Sequence, residues 1–404
     1  MFYCGIDIAK YKHESTVIDA SGKALLDSIS FANSKEGCEK LLGLFERLGV
    51  SKSDLLIGME ATGHYWLSVY GYLLEQDFDV RVINPIQSEA FRKMYIRQTK
   101  NDSKDSFIIA QIMRFGQFSS TNLSEEVIVA LRQLSRYRLA LVDSCGDCKR
   151  RTIALLDQVF PEYDALFSDT FGSTSKEVLS QYPTPEDLLS VSTRKLSNLL
   201  EKASHGRFGR EKAEQLKAAA SNSFGVSFAK DAFAFQIKQL IEQLEFLEGQ
   251  IAELEEQISI LLKQTGSCIT TIPGIGDTLG AIILGEIGDI HRFNAPNKLV
   301  AFAGLDVRVS QSGEFTGTRQ KISKRGSPYL RRAIWLAASR AAFCDPILSE
   351  YYQSLRARGK HHLTAIGAVS RKICNIIFAI VSENRPYEAV PPKSVRRDSA
   401  HFTT

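Results

Sequence analysis

Eight apolar residues in the stretch 229–264 recur at intervals of three and four: Ile237, Leu240, Leu244, Leu247, Ile251, Leu254, Ile258 and Leu261. That spacing runs through nearly four heptads and puts all eight on one stripe of a single long helix. A stripe of this kind has to be covered by a second apolar surface. The stretch 125–160 carries another long helical pattern. The simplest architecture folds it back against 229–264 as an antiparallel coiled-coil stalk, and a coiled coil between two copies of the chain is the competing use. Between them, 161–228 is punctuated by Pro161, Pro183 and Pro185 and reads as a small helical insertion.

The N-terminal part has a different rhythm. Residues 2–9 are an apolar run, 12–19 alternate, and 24–32 are apolar again after a Ser21-Gly22 turn, which predicts three consecutive strands. Helical spacing follows over 34–48, then a short strand over 55–59, a helix over 63–76, a strand over 80–83, and helices over 86–95 and 102–116. The order βββαβαβα is that of the ribonuclease-H-like fold, a mixed sheet with helices on its faces. Beyond residue 266, helical patterns cover 277–288, 327–343, 346–357 and 363–383. The expected class is therefore α/β plus all-α: a domain over 1–120, a helical region over 121–265 with its insertion at 161–228, a helical domain over 266–385, and a disordered tail over 386–404.

At about 150 residues per domain, 404 residues correspond to two or three domains. A chain 44% hydrophobic and 24% charged is neither disordered nor fibrous. No run of 18 or more apolar residues occurs, so no membrane-spanning helix is expected. The start of the chain lacks the basic region of a signal peptide, and seven cysteines without an export signal are expected to be reduced thiols. The net charge of +4 hides an asymmetry. Residues 265–404 hold 19 Lys and Arg against 10 Asp and Glu, and 308–332 hold seven basic side chains against one acidic. A polyanionic partner and a solvated basic face both account for that excess.

Four acids stand out. Asp7 lies in the first strand beside Ile6 and Ile8, and Glu60 ends the fourth. Asp102 and Asp105, three apart at the start of a helix, project from one face. An acid in an apolar strand is costly unless paired or bound to a cation. In a ribonuclease-H-like sheet the first and fourth strands are central neighbours and a later helix crosses them. Converging carboxylates would repel each other, and two Mg²⁺ ions would relieve the repulsion, polarise a phosphodiester and activate its attacker. Each acid alone also has an ordinary reading: Asp102 as a helix N-terminal acid, Asp7 as a strand-end residue.

Two further segments can bear on nucleic acid. Ile272-Pro273-Gly274-Ile275-Gly276 precedes a helix, and such a helix-hairpin-helix-like turn presents backbone N–H groups to a phosphate; the same turn also merely connects helices. Ser310-Gln311-Ser312-Gly313 is followed by Gly317 and the basic run Arg319, Lys321, Lys324 and Arg325. A serine in a mobile loop among cations can attack phosphorus, and a polar turn is the alternative. Cys145 and Cys148 have zinc-like spacing without a matching pair and read as buried thiols. His361 and His362 read as peripheral, and His64 and Tyr65 as neighbours of Glu60.

With these residues in hand the chain resembles the DEDD transposases of the insertion-sequence one-hundred-ten family, which includes the Piv-type DNA invertases. The resemblance rests on Gly5-Ile6-Asp7-Ile8-Ala9-Lys10, Met59-Glu60-Ala61-Thr62-Gly63 and Lys100-Asn101-Asp102-Ser103-Lys104-Asp105. It rests equally on Ile272-Pro273-Gly274-Ile275-Gly276, Ala303-Gly304-Leu305, Gln311-Ser312-Gly313, and Ile322-Ser323-Lys324-Arg325-Gly326 with Tyr329-Leu330-Arg331. It implies a RuvC-like N-terminal domain whose Asp7, Glu60, Asp102 and Asp105 bind Mg²⁺, with Mn²⁺ a possible substitute. It implies a C-terminal transposase domain in which Ser312 becomes joined to DNA, Ser310 being the neighbouring candidate. It also implies a homodimer or tetramer with composite sites, a bridge RNA that guides DNA choice, and a place at the bacterial nucleoid in the cytoplasm. The residues expected to hold DNA are Gly274, Gly276, Arg319, Lys321, Lys324, Arg325 and Arg331. A metal-dependent nuclease and a non-catalytic nucleic-acid binder are the competing functions.

Overall fold

The computed structural model describes residues 1–61, 64–83, 88, 89, 91, 102–116, 126–307, 311, 312, 315, 316 and 322–389. The chain divides into two units, Met1–Leu123 and Ser124–Thr404.

The first unit is built on strands β1 (Phe2–Asp7), β2 (Lys12–Ile18), β3 (Ala24–Ala32), β4 (Leu55–Glu60) and β5 (Asp79–Ile83), in the sheet order β3-β2-β1-β4-β5. β1 is antiparallel to β2 and parallel to β4, and β4 is parallel to β5. Helices α1 (Lys35–Arg47) and α2 (Trp66–Glu75) cover one face, where Cys4, Ile6, Ile57 and Met59 meet Leu41, Phe45, Val69 and Leu73. Ser34 caps α1 by accepting the Gly37 N–H, which fixes where that helix begins. Helix α3 (Asp102–Phe115) covers the opposite face through Ile108, Ile109, Ile112 and Met113, packed with Ile83, Tyr3 and Leu56. Most of the helix expected over 86–95 lies outside the described residues.

Two glycines let α3 lie against the sheet. Gly5 and Gly58 are register partners on β1 and β4. A Cβ on Gly5 would stand 2.0 Å from the Ser106 carbonyl oxygen and 2.4 Å from the Ala110 nitrogen, and one on Gly58 would stand 2.5 Å from Cγ of Met113. At Gly5 backbone therefore rests almost directly on backbone, a separation only glycine permits, and at Gly58 the Met113 side chain fills the space.

Among its described residues the second unit is helical apart from one hairpin and the bridge at its base. Helices α4 (Glu126–Val159) and α9 (Lys230–Gln264) are 34 and 35 residues, about 50 Å each. They run antiparallel. Leu131 and Leu139 share a core with Ile258 and Leu262, Leu141, Cys145 and Cys148 with Leu244 and Leu247, and Leu156 and Val159 with Ile237 and Ile241. Ile241 and Leu262 are fully buried where the strict stripe names Leu240 and Leu261, which are half-buried. A straight helix turns at 3.6 residues, so a stripe of period 3.5 drifts across it. Cys145 and Cys148 are buried free thiols of that seam, and all seven cysteines are free.

Between the long helices stand α5 (Ser173–Gln181), α6 (Pro185–Ser190), α7 (Thr193–Ala203) and α8 (Arg210–Ser221), around a core including Phe160, Tyr163, Leu179, Leu196 and Leu216. The C-terminal part holds α10 (Asp277–Ile287), α11 (Pro296–Phe302), α12 (Pro328–Cys344), α13 (Pro346–Ala357) and α14 (His362–Glu383). The short α11, started by Pro296, has no counterpart in the apolar pattern. Helix α14 is long and apolar enough to cross a membrane, although Arg371 and Lys372 break its apolar run; half of its most apolar window is buried in the helical core. The absence of an 18-residue apolar run thus did not exclude a helix of spanning composition, because mean hydropathy tolerates two charges.

Candidate active site

The first group of residues lies at one end of the sheet. In β1 the positions of Tyr3, Gly5 and Asp7 share the face covered by α3, and in β4 those of Leu56, Gly58 and Glu60 do. Since Gly5 pairs with Gly58 and Ile6 with Met59, Asp7 and Glu60 end neighbouring parallel strands side by side. Both are half-buried. The Ser88 hydroxyl, 2% exposed, donates to Oε2 of Glu60 at 2.6 Å.

Helix α3 is oriented by bonds at two levels. Its Ser106 hydroxyl meets the Thr16 hydroxyl at 2.7 Å, and Gln111 donates to the Gly22 carbonyl in the β2–β3 turn at 3.3 Å. Thr16 pairs with Gly5, while Gly22 lies beyond the start of β1, so the helix runs from the Asp7 end of the sheet toward the other. Asp105, half-buried, immediately precedes Ser106, and Asp102 begins the helix. The Asp102 side chain lies outside the described residues, and among the described residues no three His, Cys, Asp or Glu side chains converge tightly enough to hold a metal ion. The donor chemistry still suits a hard cation, because carboxylate oxygens are what Mg²⁺ and Mn²⁺ prefer.

One acid was missed in the sequence. Glu14 on β2 is the direct partner of Asp7 across the antiparallel pair, on the same face, and accepts from the Ser28 hydroxyl at 2.5 Å. Its signal was an acid in an alternating strand, where polar residues are ordinary. Tyr65 packs into the core of the other face and His64 is exposed against it, with ring centroids 4.2 Å apart.

The second group belongs to the C-terminal part. Strands β6 (Gln311–Ser312) and β7 (Phe315–Thr316) pair antiparallel, Gln311 with Thr316 and Ser312 with Phe315. Ser312 is thus the last residue of a strand rather than part of an irregular loop; its side chain, like Ser310, Gly313, Arg319 and Lys321, lies outside the described residues. The base of this hairpin is tightly closed. Val307 bridges Ile322, the Ser323 N–H donates to the Asp306 carbonyl at 2.8 Å, and the Ser323 hydroxyl donates to the Asp306 carboxylate. Gly326, at φ +90°, leaves no room for a Cβ, which would stand 2.0 Å from the Phe302 carbonyl oxygen. Lys324 and Arg325 are exposed there, and Arg331 donates to the Ala303 carbonyl at 3.3 Å.

Glu286 anchors this base. It is a carboxylate 5% exposed on the apolar helix α10. Arg136 of α4 donates to both its oxygens, at 2.6 and 3.0 Å, and the Ser327 hydroxyl donates to Oε2 at 2.7 Å while capping α12 by accepting the Leu330 N–H. The Glu286 partnership raises the Arg136 pKa above its usual value. An acid inside an apolar element is the signal that singled out Asp7 in its strand, and it could have found Glu286 in its helix as well.

The Pro273 turn divides its glycines. Gly274, at φ +87°, packs on α12, where a Cβ would meet the Ala337 carbonyl oxygen at 2.7 Å. Gly276 has open space and begins α10 without a side-chain cap, at a recess of about 360 Å³ bordered by Thr270, Thr271 and Arg340. His361 caps α14, accepting the Leu363 N–H, and Nδ1 of His362 meets the Tyr352 hydroxyl at 2.8 Å.

Two family models match the chain. One, described as a transposase with the DEDD signature of IS110, covers residues 4–161; the other, transposase of the IS116/IS110/IS902 family, covers 266–353. The chain belongs to the IS110 family of transposases. Members of that family are enzymes of DNA recombination, and this chain is such an enzyme. The first IS110 model spans the sheet and all of α4; the second spans the Pro273 turn, the Ser312 hairpin and α12. Relatives align over nearly the whole chain, including the helices between the two models. The insertion element IS110 43.6 kDa protein of Streptomyces coelicolor is 24% identical over 97% of both chains. The insertion element IS116 44.8 kDa protein of Streptomyces clavuligerus is 23% identical over 96% of this chain and 97% of its own. The pilin gene-inverting protein of Moraxella bovis is 23% identical over the same shares.

Proposed function

We propose that this IS110-family transposase moves an insertion sequence by cutting and rejoining DNA through Ser312, aided by divalent cations at Asp7, Glu60, Asp102 and Asp105. The observation that carries the reading is register: Asp7 and Glu60 end adjacent strands on the face where α3 begins with Asp102 and Asp105. The sheet order β3-β2-β1-β4-β5 supports a ribonuclease-H-like, RuvC-like domain, and the antiparallel packing of α4 with α9 supports a coiled-coil stalk. Bound Mg²⁺, or Mn²⁺ in its place, would neutralise the carboxylates and polarise the phosphodiester.

The rest of the chemistry belongs to the chain. The Ser312 hydroxyl attacks phosphorus and gives up its proton to a base. The bond to the leaving deoxyribose oxygen breaks, and that oxygen takes up a proton. Attack on the serine ester by the hydroxyl of another strand then restores a phosphodiester and frees Ser312. The ester conserves the bond, so rejoining needs no ATP. Lys324, Arg325 and Arg331, with Arg319 and Lys321, hold the DNA backbone, and the N–H groups beside Gly274 and Gly276 receive a phosphate. A structured guide RNA chooses target and donor DNA. The working form is a homodimer or tetramer in which one subunit's carboxylates serve another's serine, at the nucleoid in the bacterial cytoplasm.

Ser312→Ala is expected to abolish both strand exchange and the denaturant-resistant protein–DNA adduct, while Ser310→Ala is milder. Recombination by the Ser312 variant would overturn the assignment, and free cleaved ends without an adduct would point to a metal-dependent nuclease. The pilin gene-inverting relatives favour a second reading, inversion of a DNA segment by the same chemistry.

A further inference from the structure

Arg292 stands apart from the other arginines at the base of the Ser312 hairpin. Its guanidinium lies 4.6 Å from the Phe293 ring centroid and 4.4 Å from that of Phe302, and it makes no hydrogen bond or ion pair among the described residues. The Phe302 carbonyl accepts the Ser327 N–H at 3.0 Å, so Arg292 sits on the residue that closes the hairpin base. Its cationic neighbour Arg132 donates to the Gly285 carbonyl at 2.5 Å, while Arg136 is committed to Glu286 and lies 4.7 Å from the Tyr329 ring centroid. Asp289 and Glu286 are the nearby acids; Arg292 is exposed as a whole, but partial desolvation of its guanidinium followed by repulsion from Arg132 pulls its pKa down to about 10, which leaves it charged at neutral pH.

Two rings tilted 53° to each other therefore flank a planar five-donor fork whose donors are uncommitted and which Arg132 repels. A phosphate would satisfy the fork and offset the repulsion from Arg132 together. We propose that Arg292, backed by Arg132, is a phosphate seat for the DNA strand brought to the Ser312 hairpin. The proposal rests on the hairpin being the strand-exchange element, and it adds two residues outside the basic run after Gly317. Covering the Phe rings alone would leave DNA binding untouched.

The test uses the full-length chain, a labelled random-sequence DNA duplex and a salt titration, comparing wild type with Arg292→Gln and Arg292→Lys. Each phosphate that is no longer neutralised makes the slope of log K against log salt shallower by about one. Arg292→Gln should show that change with about tenfold weaker binding. Arg292→Lys, which keeps the charge and is the gentler change to the fold, should keep the slope but bind several-fold more weakly, because the fork is gone. An unaltered slope in the Gln variant, or wild-type affinity in the Lys variant, overturns the proposal, as does a change seen only with a structured RNA probe. The readout is binding, so Ser312→Ala protein gives the same answer if the reading of the serine itself fails.

Discussion

At the scale of residues, His13 shows how burial sets a response to pH. Its side chain is fully buried beside Phe31, with ring centroids 5.1 Å apart, and Nδ1 accepts the Ala9 N–H at 3.3 Å. Burial pushes its pKa below the usual 6.5, and Asn33 pulls weakly the other way. The unfolded chain therefore binds this proton more readily than the folded one. The resulting stability is fully present above pH 6.5 and is lost as the pH falls from there through the lower folded value. Urea midpoints of the N-terminal unit should drop between neutral pH and about pH 5, and His13→Asn should flatten that part of the slope. Asp7 was legible in the sequence because an ionisable group in an apolar strand needs a reason. His13 and Glu14 were not, since both sit in an alternating strand where polar residues look ordinary.

At the scale of elements, Glu286 joins three helices: its own α10, α4 through Arg136, and α12 through Ser327. Removing one partner of a buried charge pair costs about 3–5 kcal/mol, and less here because Arg136 is 42% exposed and water can take up its charge. Glu286→Ala should therefore destabilise the C-terminal unit by about 2 kcal/mol, and chemical denaturation checks it. The same variant frees the first turn of α12 next to Lys324 and Arg325. The boundaries of α4, α9, α10 and α12–α14 followed closely from apolar spacing, capping residues and proline. The short α11 and strands β6 and β7 did not, because seven or fewer residues carry too little periodicity to stand out.

At the scale of the whole molecule, Met1–Leu123 and Ser124–Thr404 have separate cores, one around the sheet and the others among the helices. Scanning calorimetry should resolve two transitions, since cooperative melting follows a shared core. Gly5→Ala should move only the transition of the first unit, by about 3 kcal/mol, because the added Cβ meets the rigid backbone of α3; Gly58→Ala should cost about 1 kcal/mol, because the Met113 side chain can yield. A single transition, or equal effects of the two alanines, would contradict this seating of α3 on the sheet.

Periodicity, apolar runs and acids in apolar settings belong to the local order of residues, and so the chain's order alone determined the five strands of the N-terminal sheet, the long helices, and the first candidate acids and serine. What only the tertiary structure decided are meetings across long separations. Asp7 lies beside Glu60 because β1 and β4 pair in parallel with Gly5 opposite Gly58, and those two glycines leave room for α3 against both strands. Arg136 finds Glu286 150 residues away, and Glu286 finds Ser327 another 41 on. Such meetings depend on which faces pack and at what distance, and these are set by the volume and shape of the side chains between them.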